Sequence, residues 1–424
     1  MSYFCLVLII LIFLFSLIYL VYKIIHRSTI VSLLFAYFQI ATSIFWLLFA
    51  IISDDYGLML LMSFITSITL ILVFLGIFAL YFNFKGKKKV LYITTFYHLR
   101  RRNLDGERIK NALIYDALQG DTNLILINLE TLKLFSLIKM MILLILFRFD
   151  DVIVSKSSKG AYRLFRLLRQ LPKRGSKLIY LVIAAYFAKR IKSQEFDLEV
   201  FKSCDLIVVE TEALRQEALE VGLTKLEVFP NFKRIFKIEE TKVPEVVPVL
   251  KLVFFSRVTE KKGILEAIRF VKELNTDVKR FTLDIFGTID KPLVTVFKEA
   301  LQNETAITYY GYKTLRAKED YQILNQYDLH LLPTKYITEG IPASIIDFLI
   351  AGVPTLTSNF QNAASFLDDS FSYRYPFDDE VAFKALLLKI YENQRTLFNK
   401  RAKCLSESKK YSLDEFKTYL LLRL

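Results

Sequence analysis

The sequence predicts two α/β domains with parallel sheets, preceded by an anchor of three transmembrane helices. Its 424 residues exceed one ordinary hydrophobic core, and strand-like and helix-like segments alternate in two separate series after residue 88. The hydrophobic fraction of 54% and the mean hydropathy of +0.36 are high for a soluble chain. The net charge of +14 nevertheless lies wholly after residue 84. The chain therefore combines an apolar first segment with a basic, folded remainder.

Residues 1–84 are predicted to be the membrane anchor. They contain three apolar runs, 3–22, 30–52 and 56–82, and each reaches the roughly 20 residues that a helix needs to cross a bilayer. A cleaved signal peptide would have a single, shorter run. A buried or re-entrant helix is the alternative for the second run, which contains Gln39. No Asp, Glu, Lys or Arg lies inside the runs, so a transport pathway has little support.

The charges between these runs predict their orientation. Lys23 and Arg27 lie in the first connection, Asp54 and Asp55 in the second, and a lysine cluster at 85–89 follows the third run. Because basic residues favour the cytoplasmic side, the N-terminus is expected outside and the rest of the chain inside. We therefore expect a multi-pass protein of the cell membrane whose folded domains face the cytoplasm.

Residues 85–240 are predicted to form the first domain. A β-branched apolar run at 90–94, a helical pattern at 107–118 and a second apolar run at 123–129 are typical of a βαβ unit, and therefore of a parallel sheet. Further strands are predicted at 151–155, 177–183, 205–210 and 226–229.

The second domain is predicted at residues 249–405, after an extended linker with prolines at 244 and 248. Its strands are predicted at 251–256, 281–287, 307–312, 328–334 and 353–358. Two consecutive open α/β domains leave a cleft outside the carboxyl ends of their strands, which is where ligands of such sheets bind.

Residues 333–358 have the pattern of a sugar and diphosphate site. A loop with Glu339 and Gly340 precedes a helix that begins near Pro342, since proline suits the first turn. The N–H groups at that helix start would face the cleft and favour a diphosphate. Asp347 lies on the helix and could accept two hydrogen bonds from a vicinal diol.

A second stretch, residues 254–264, adds positive charge at the same edge. Arg257 and Lys262 lie at the top of the first strand and in the turn that follows it, with Gly263 allowing a close approach. Two cations there suit a pyrophosphate leaving group.

Together these stretches resemble the donor-binding half of family 4 glycosyltransferases, in particular the membrane-anchored members that build capsular and other surface polysaccharides. The motif of Arg257, four residues and then Lys262–Gly263 matches the family's pair of cations. Glu339 and Asp347 stand at the family's E-x7-E motif, with Asp as the second acid. The likeness extends over residues 88–424 and is stronger after residue 250.

The resemblance implies a retaining enzyme of the GT-B fold, in which two Rossmann-like domains face each other across a cleft. It implies that Glu339 contacts hydroxyls of the donor sugar, that backbone amides near Gly340 and Ile341 hold the sugar, and that Asp347 binds the ribose. Gly106 stands in the turn where the family has a glycine-rich loop facing the donor phosphates. The last segment, 411–424, is expected to be a helix that packs back on the first domain.

The sequence assigns no general base and no metal site. Its three cysteines are far apart, which excludes a disulfide framework or a zinc ribbon. The family's His–Asp pair near the acceptor has no match here. His98, after the first strand, is a candidate contact, whereas His330 lies inside a predicted strand and is expected to be buried in the core. Neither a metal nor a cofactor is predicted, because the two cations would stabilise the leaving group.

The first domain is strongly basic, with 23 Lys and Arg against 10 Asp and Glu over residues 85–200. The apolar run 132–149 and the basic, amphipathic segment 156–169 predict a face on anionic lipid, and the second segment is typical of an interfacial helix. A core helix with a solvated basic face is the alternative. Binding to nucleic acid would also explain the charge, but the predicted anchor already supplies a membrane surface.

Taken together, the sequence predicts a metal-independent hexosyltransferase. Its partners would be a nucleotide-diphosphate sugar donor and a glycan acceptor linked to polyprenyl diphosphate, in the synthesis of a cell-surface polysaccharide. The alternative is a catalytically inactive, membrane-anchored module of the same fold that recruits partner transferases. The Asp at position 347 and the missing His–Asp pair favour that alternative.

Overall fold

The computed structural model describes the two α/β domains. The described residues are 86–97, 106–130, 133–170, 175–183, 186–238, 246–337 and 339–424. Residues 87–424 form one compact unit. Within the described ranges, no helix has the length and apolar character required to cross a bilayer. The three apolar runs predicted as spans lie outside the described residues, as do His98 and most of the predicted linker.

Six parallel strands form the first sheet, in the order β2-β1-β3-β4-β5-β6. The strands are β1 Lys89–Thr94, β2 Asn123–Asn128, β3 Asp151–Lys156, β4 Lys177–Val182, β5 Leu206–Val209 and β6 Leu226–Val228. The helices are α1 Gly106–Leu118, α2 Lys133–Leu146, α3 Ser158–Leu168, α4 Phe187–Lys192, α5 Leu198–Lys202 and α6 Glu212–Glu220. Four successive residues of β1, from Val90 to Ile93, are fully buried, as expected for a strand covered on both faces.

The second sheet also has six parallel strands, in the order β12-β11-β10-β7-β8-β9. The strands are β7 Leu250–Phe255, β8 Phe281–Phe286, β9 Ile307–Gly311, β10 Leu329–Leu332, β11 Thr355–Ser358 and β12 Ser372–Tyr375. The helices are α7 Ile264–Leu274, α8 Val294–Ala300, α9 Lys318–Leu324, α10 Ala343–Ile350, α11 Glu380–Glu392 and α12 Arg395–Ser408. The prediction of two α/β domains with parallel sheets is confirmed.

The last helix of the chain, α13 (Leu413–Leu421), belongs structurally to the first sheet. It packs against α1, and the ring of Phe416 stacks on that of Phe232 with centroids 3.8 Å apart. Backbone hydrogen bonds of 2.8 Å join Lys233 to Tyr411 and to Leu413. The chain therefore crosses from the second sheet back to the first through α12 and α13.

Helix α3 differs from the predicted interfacial helix. Its apolar residues, including Ala161, Leu164 and Phe165, are buried, and the helix packs against β3. Arg163 and Arg166 point to solvent. Helix α3 is therefore the core helix with a solvated basic face, because β3 and its neighbours already cover its apolar side.

Helix α2 does the opposite and presents apolar side chains to solvent. Five of them are between 43% and 73% exposed, namely Leu134, Phe135, Ile138, Ile142 and Ile145. Their spacing of three and four residues places them on one face of the helix. The connection from β2 to β3 runs back over β1, so right-handed crossovers place α2 and α3 on the same face of the sheet.

Candidate functional site

Lys262 and Glu339 meet at the carboxyl edge of the second sheet. Lys262 ends a short 3-10 turn after β7, and Glu339 lies in the loop between β10 and α10. The Nζ atom of Lys262 is 2.5 Å from Oε2 of Glu339, and the two side chains are 20% and 15% exposed. Two residues that the sequence predicted for one donor site are therefore in direct contact.

Gly263 makes this contact possible by letting the turn approach the loop after β10. Its φ of +73° lies in the left-handed region, and a Cβ at this position would be 1.9 Å from the carbonyl oxygen of Pro333. No side chain fits in that space. A backbone hydrogen bond of 2.8 Å from Lys335 to Lys261 joins the same two segments.

Two buried polar residues hold Glu339 from the other side. The hydroxyl of Thr334 donates to Oε2 of Glu339 at 3.2 Å, and the amide of Asn362 donates to its carbonyl oxygen at 2.7 Å. Within the described ranges, the buried Oδ1 of Asn362 has no hydrogen-bond partner. Neither residue was predicted for the site from the sequence, although both follow strands, β10 and β11, whose carboxyl ends lie at the same edge.

Arg257 follows β7 and is exposed to solvent. In the part of the chain that the structure describes, no carboxylate forms an ion pair with it, whereas Lys262 is paired. The backbone of Arg257 also passes Gly287, where a Cβ would lie 1.8 Å from the carbonyl oxygen of Ser256. Arg257 is thus the cation of the predicted pair that is left open to an anion.

Gly340 and Ile341 lead into helix α10, whose N-cap is Pro342 and whose first residue is Ala343. The carbonyl oxygen of Ile341 accepts a hydrogen bond of 3.2 Å from the side-chain amide of Asn231, in the segment after β6. The loop is therefore held from the first-domain side as well. The start of α10 carries backbone N–H groups without helical acceptors, a suitable environment for an anion.

Asp347 is buried on α10, with 3% of its surface exposed. Its Oδ2 is 3.1 Å from Nζ of Lys233, and its Oδ1 accepts a hydrogen bond of 2.9 Å from the hydroxyl of Tyr321. Burial raises the pKa of the Asp347 carboxyl above its usual range, although the Lys233 ammonium acts in the opposite direction. Both oxygens expected to face a ribose thus already have protein partners.

Gly106 is the first residue of α1 and is exposed, and no atom of the described residues lies within 4 Å of an added Cβ. Space therefore does not require glycine there. Most of the turn before it, 98–105, lies outside the described residues. On the same side of the cleft, the hydroxyls of Tyr186 and Tyr336 are hydrogen-bonded, which joins the first-domain segment before α4 to the loop that carries Glu339.

His330 is fully buried in β10, which confirms the prediction of a core position. Its ring stacks on Phe348 with centroids 4.0 Å apart, and Nδ1 lies 3.0 Å from the hydroxyl of Thr355. Burial lowers the pKa of His330 to about 3. Across the described residues, no group of three or more His, Cys, Asp or Glu side chains could hold a metal ion.

Comparisons with known proteins bear on the two sheets and this site. Residues 237–411 match the family model described as Glycosyl transferases group 1. That segment contains Arg257, Lys262, Glu339 and Asp347. No curated protein matches the sequence.

Solved structures are similar in fold at low sequence identity. HepE of Anabaena, in complex with UDP and glucose, has a TM-score of 0.62 and 10% identity over 79% of this chain and 99% of its own. Sucrose-phosphate synthase of Thermosynechococcus elongatus has a TM-score of 0.58 and 13% identity over 79% of this chain and 98% of its own. The lipopolysaccharide outer core galactosyltransferase WaaB has a TM-score of 0.54 and 11% identity over 79% of this chain and 100% of its own. The segment that matches the family model and the fold of the two sheets together identify the protein as a glycosyltransferase with the GT-B fold.

Proposed function

We propose that the protein transfers a hexose, with retention of configuration, from a nucleoside diphosphate sugar to a glycan carried on a polyprenyl diphosphate lipid. This reaction would serve the synthesis of a cell-surface polysaccharide. The observation that carries the proposal is the contact of Lys262 with Glu339 beside the start of α10. A cation, a carboxylate and a helix N-terminus suit, respectively, the phosphates, the hydroxyls and the negative charge of such a donor.

Binding of the donor would replace the Lys262–Glu339 ion pair by contacts of each side chain with the donor. Its diphosphate takes Lys262 and the open Arg257, while hydroxyls of the sugar donate hydrogen bonds to Glu339. Thr334 and Asn362 keep Glu339 in place during the exchange, since both are buried and bonded to it. HepE and its complexes with UDP and UDP-glucose support a uridine nucleotide as the first donor to test.

The bond from the anomeric carbon to the β-phosphate oxygen breaks, and the acceptor oxygen bonds to the same face of that carbon. The acceptor proton passes to the leaving diphosphate, so no protein base is needed. Arg257 and Lys262 stabilise the charge that develops on the leaving group, and one such electrostatic contact is worth about 10²- to 10³-fold in rate.

Asp347 is the weaker part of the donor assignment. A ribose hydroxyl would have to share the oxygens that Lys233 and Tyr321 now occupy. The same observation favours the second candidate function, an inactive membrane-anchored module that recruits partner transferases, because both acids of the motif have cationic partners.

A thermal-shift panel separates the two functions. UDP-, GDP-, ADP- and CMP-sugars are added to the full chain in detergent, and we expect one nucleotide class to raise the melting temperature. In cells that carry the variant in place of the unaltered chain, Arg257→Ala and Glu339→Ala should abolish glycan output at unchanged protein level. Lys272→Ala, which breaks the ion pair between Lys272 of α7 and Glu304 after α8, is the matched control. Intact glycan output in cells that carry either of the first two variants would contradict the transferase and favour the module.

The lipid-borne acceptor would be presented beside α2 and α3. The exposed apolar stripe of α2 suits the acyl region, and Arg163 and Arg166 on the neighbouring α3 suit anionic headgroups.

Changing Phe135 and Ile142 to serine together tests the stripe. Transfer to a polyprenyl diphosphate acceptor in liposomes should fall, while transfer to a short water-soluble acceptor should not. Val381→Ser, at a position that is 81% exposed in the second domain, is the control. Equal loss on both acceptors would contradict a lipid-facing role for α2.

A further inference from the structure

An acidic residue of the first domain reaches into the proposed donor site. Glu210 follows β5, and its Oε1 is 2.6 Å from Nζ of Lys110 on α1. The two side chains are 12% and 10% exposed, so this ion pair is largely shielded from water. Lys110 also lies 3.5 Å from the carbonyl oxygen of Val182 at the end of β4.

The second oxygen of Glu210 contacts the loop before α10. Oε2 accepts a long hydrogen bond of 3.4 Å from the backbone N–H of Ile341. A Cβ added at position 340 would lie only 2.8 Å from the same oxygen. Glycine at 340 therefore gives the carboxylate the room to reach the backbone.

We propose that Glu210 occupies the anion position of the unliganded donor site and is displaced when the nucleotide diphosphate binds. This inference rests on the proposed function, which places the negative charge of the donor at the start of α10, next to the N–H group of Ile341. A carboxylate and a diphosphate cannot both accept from one N–H group, and two anions at contact distance repel each other. Lys110 retains the displaced carboxylate, because it already bonds the other oxygen.

Displacement couples donor binding to the contact between the domains. Without donor, Glu210 draws the first domain onto the loop before α10, and Asn231 holds the carbonyl side of the same residue, Ile341. With donor bound, the Glu210 contact is released and that of Asn231 remains. The acceptor side of the cleft would thus gain freedom only when a donor is present.

The affinity for UDP tests this competition. Binding of UDP to the full chain in detergent is measured by calorimetry, with GDP and ADP in parallel and the nucleoside as a ligand without phosphate. Glu210→Gln keeps the shape but removes the negative charge, so we expect the nucleotide diphosphate to bind about threefold to tenfold more tightly. Lys110→Met should weaken binding, because Glu210 then loses its alternative partner. Affinity for the nucleoside should not change.

Glu227→Gln is the matched control, because Glu227 pairs with Arg423 and Tyr419 within the first domain. The double variant Lys110→Met/Glu210→Leu removes both charges and guards against misfolding caused by an unpaired Lys110. We expect it to bind the nucleotide diphosphate at least as tightly as the unaltered chain.

The outcomes separate the two proposals. Equal or weaker nucleotide binding by Glu210→Gln, with the unaltered chain binding normally, would overturn displacement and leave the donor site intact. No nucleotide binding by the unaltered chain or any variant would overturn the proposed function itself.

Discussion

The ammonium of Lys233 lies 3.1 Å from a carboxylate oxygen of Asp347, across 114 residues of sequence. Asp347 is buried and Lys233 largely so, and Tyr321 bonds the other oxygen of Asp347. Lys233 lies near the beginning of the segment that joins β6 of the first sheet to β7 of the second, and its backbone bonds the start of α13. The pair therefore ties α10, which carries the proposed donor site, to the place where the chain crosses between the sheets.

We expect Asp347→Asn to lower the free energy of unfolding by about 3 kcal/mol, because it leaves the largely buried ammonium of Lys233 without a carboxylate partner. Lys233→Met should cost a similar amount, and the double variant much less than the sum. A double-mutant cycle on denaturant unfolding in detergent measures this coupling. Additive losses would show that the two residues act independently and would free Asp347 for a ribose.

Gly263→Ala should be among the most damaging single changes in the second domain. The φ of +73° already disfavours a side chain, and the added methyl would lie 1.9 Å from a backbone oxygen of Pro333. We expect a loss of about 2 kcal/mol or more, measured as a fall in melting temperature.

Gly106→Ala is the matched control for stability, because the methyl added at this first residue of α1 meets nothing within 4 Å in the part of the chain that the structure describes. We expect its melting temperature to stay within a degree or two, since an exposed helix position gains slightly from alanine. Equal melting temperatures for the two variants would contradict the steric requirement at Gly263.

Short-range patterns carried most of what the sequence could predict. Lys262, Gly263 and Glu339 stand in motifs next to strand ends, and parallel strands bring those ends to one edge. The burial of Asp347 also had a signal, because Ile345, Ile346, Phe348 and Leu349 surround it in the sequence.

The partners of these residues could not be predicted in the same way. Lys110 and Glu210 are 100 residues apart, and each alone resembles a surface charge. Lys233 likewise gives no local sign that it meets Asp347. The first pair depends on how α1 packs on the first sheet and the second on how the two domains pack, and composition and periodicity do not encode either geometry. The prediction of an interfacial helix at α3 was wrong for a different reason, because its amphipathic pattern fits a lipid surface and a protein core equally well.

The contact of Lys262 with Glu339 predicts different effects on binding and on rate. Lys262→Ala should reduce kcat for sugar transfer by about 10²-fold, because charge on the leaving diphosphate is greatest in the transition state. Glu339→Gln should mainly weaken binding of the nucleotide sugar, while affinity for the free nucleotide diphosphate changes little. Product formation and calorimetric titration with both ligands measure the split. Loss of free nucleotide binding in Glu339→Gln would place its role at the phosphates instead.

His330 predicts an acid-sensitive contribution to stability. Burial lowers its pKa to about 3, below the usual value of 6.5, so the unfolded chain binds more protons than the folded chain between those pH values. Stability from this group is therefore full above pH 6.5 and falls by about 1.4 kcal/mol per pH unit as the pH drops towards 3.

His330→Phe keeps the stack on Phe348 and removes the titration, so its melting temperature should fall less steeply between pH 6.5 and 4.5. Burial raises the pKa of Asp151 to about 6, and this opposing contribution is common to both proteins and cancels in their difference. Parallel melting curves across that range would mean that the folded protein accepts a charged His330.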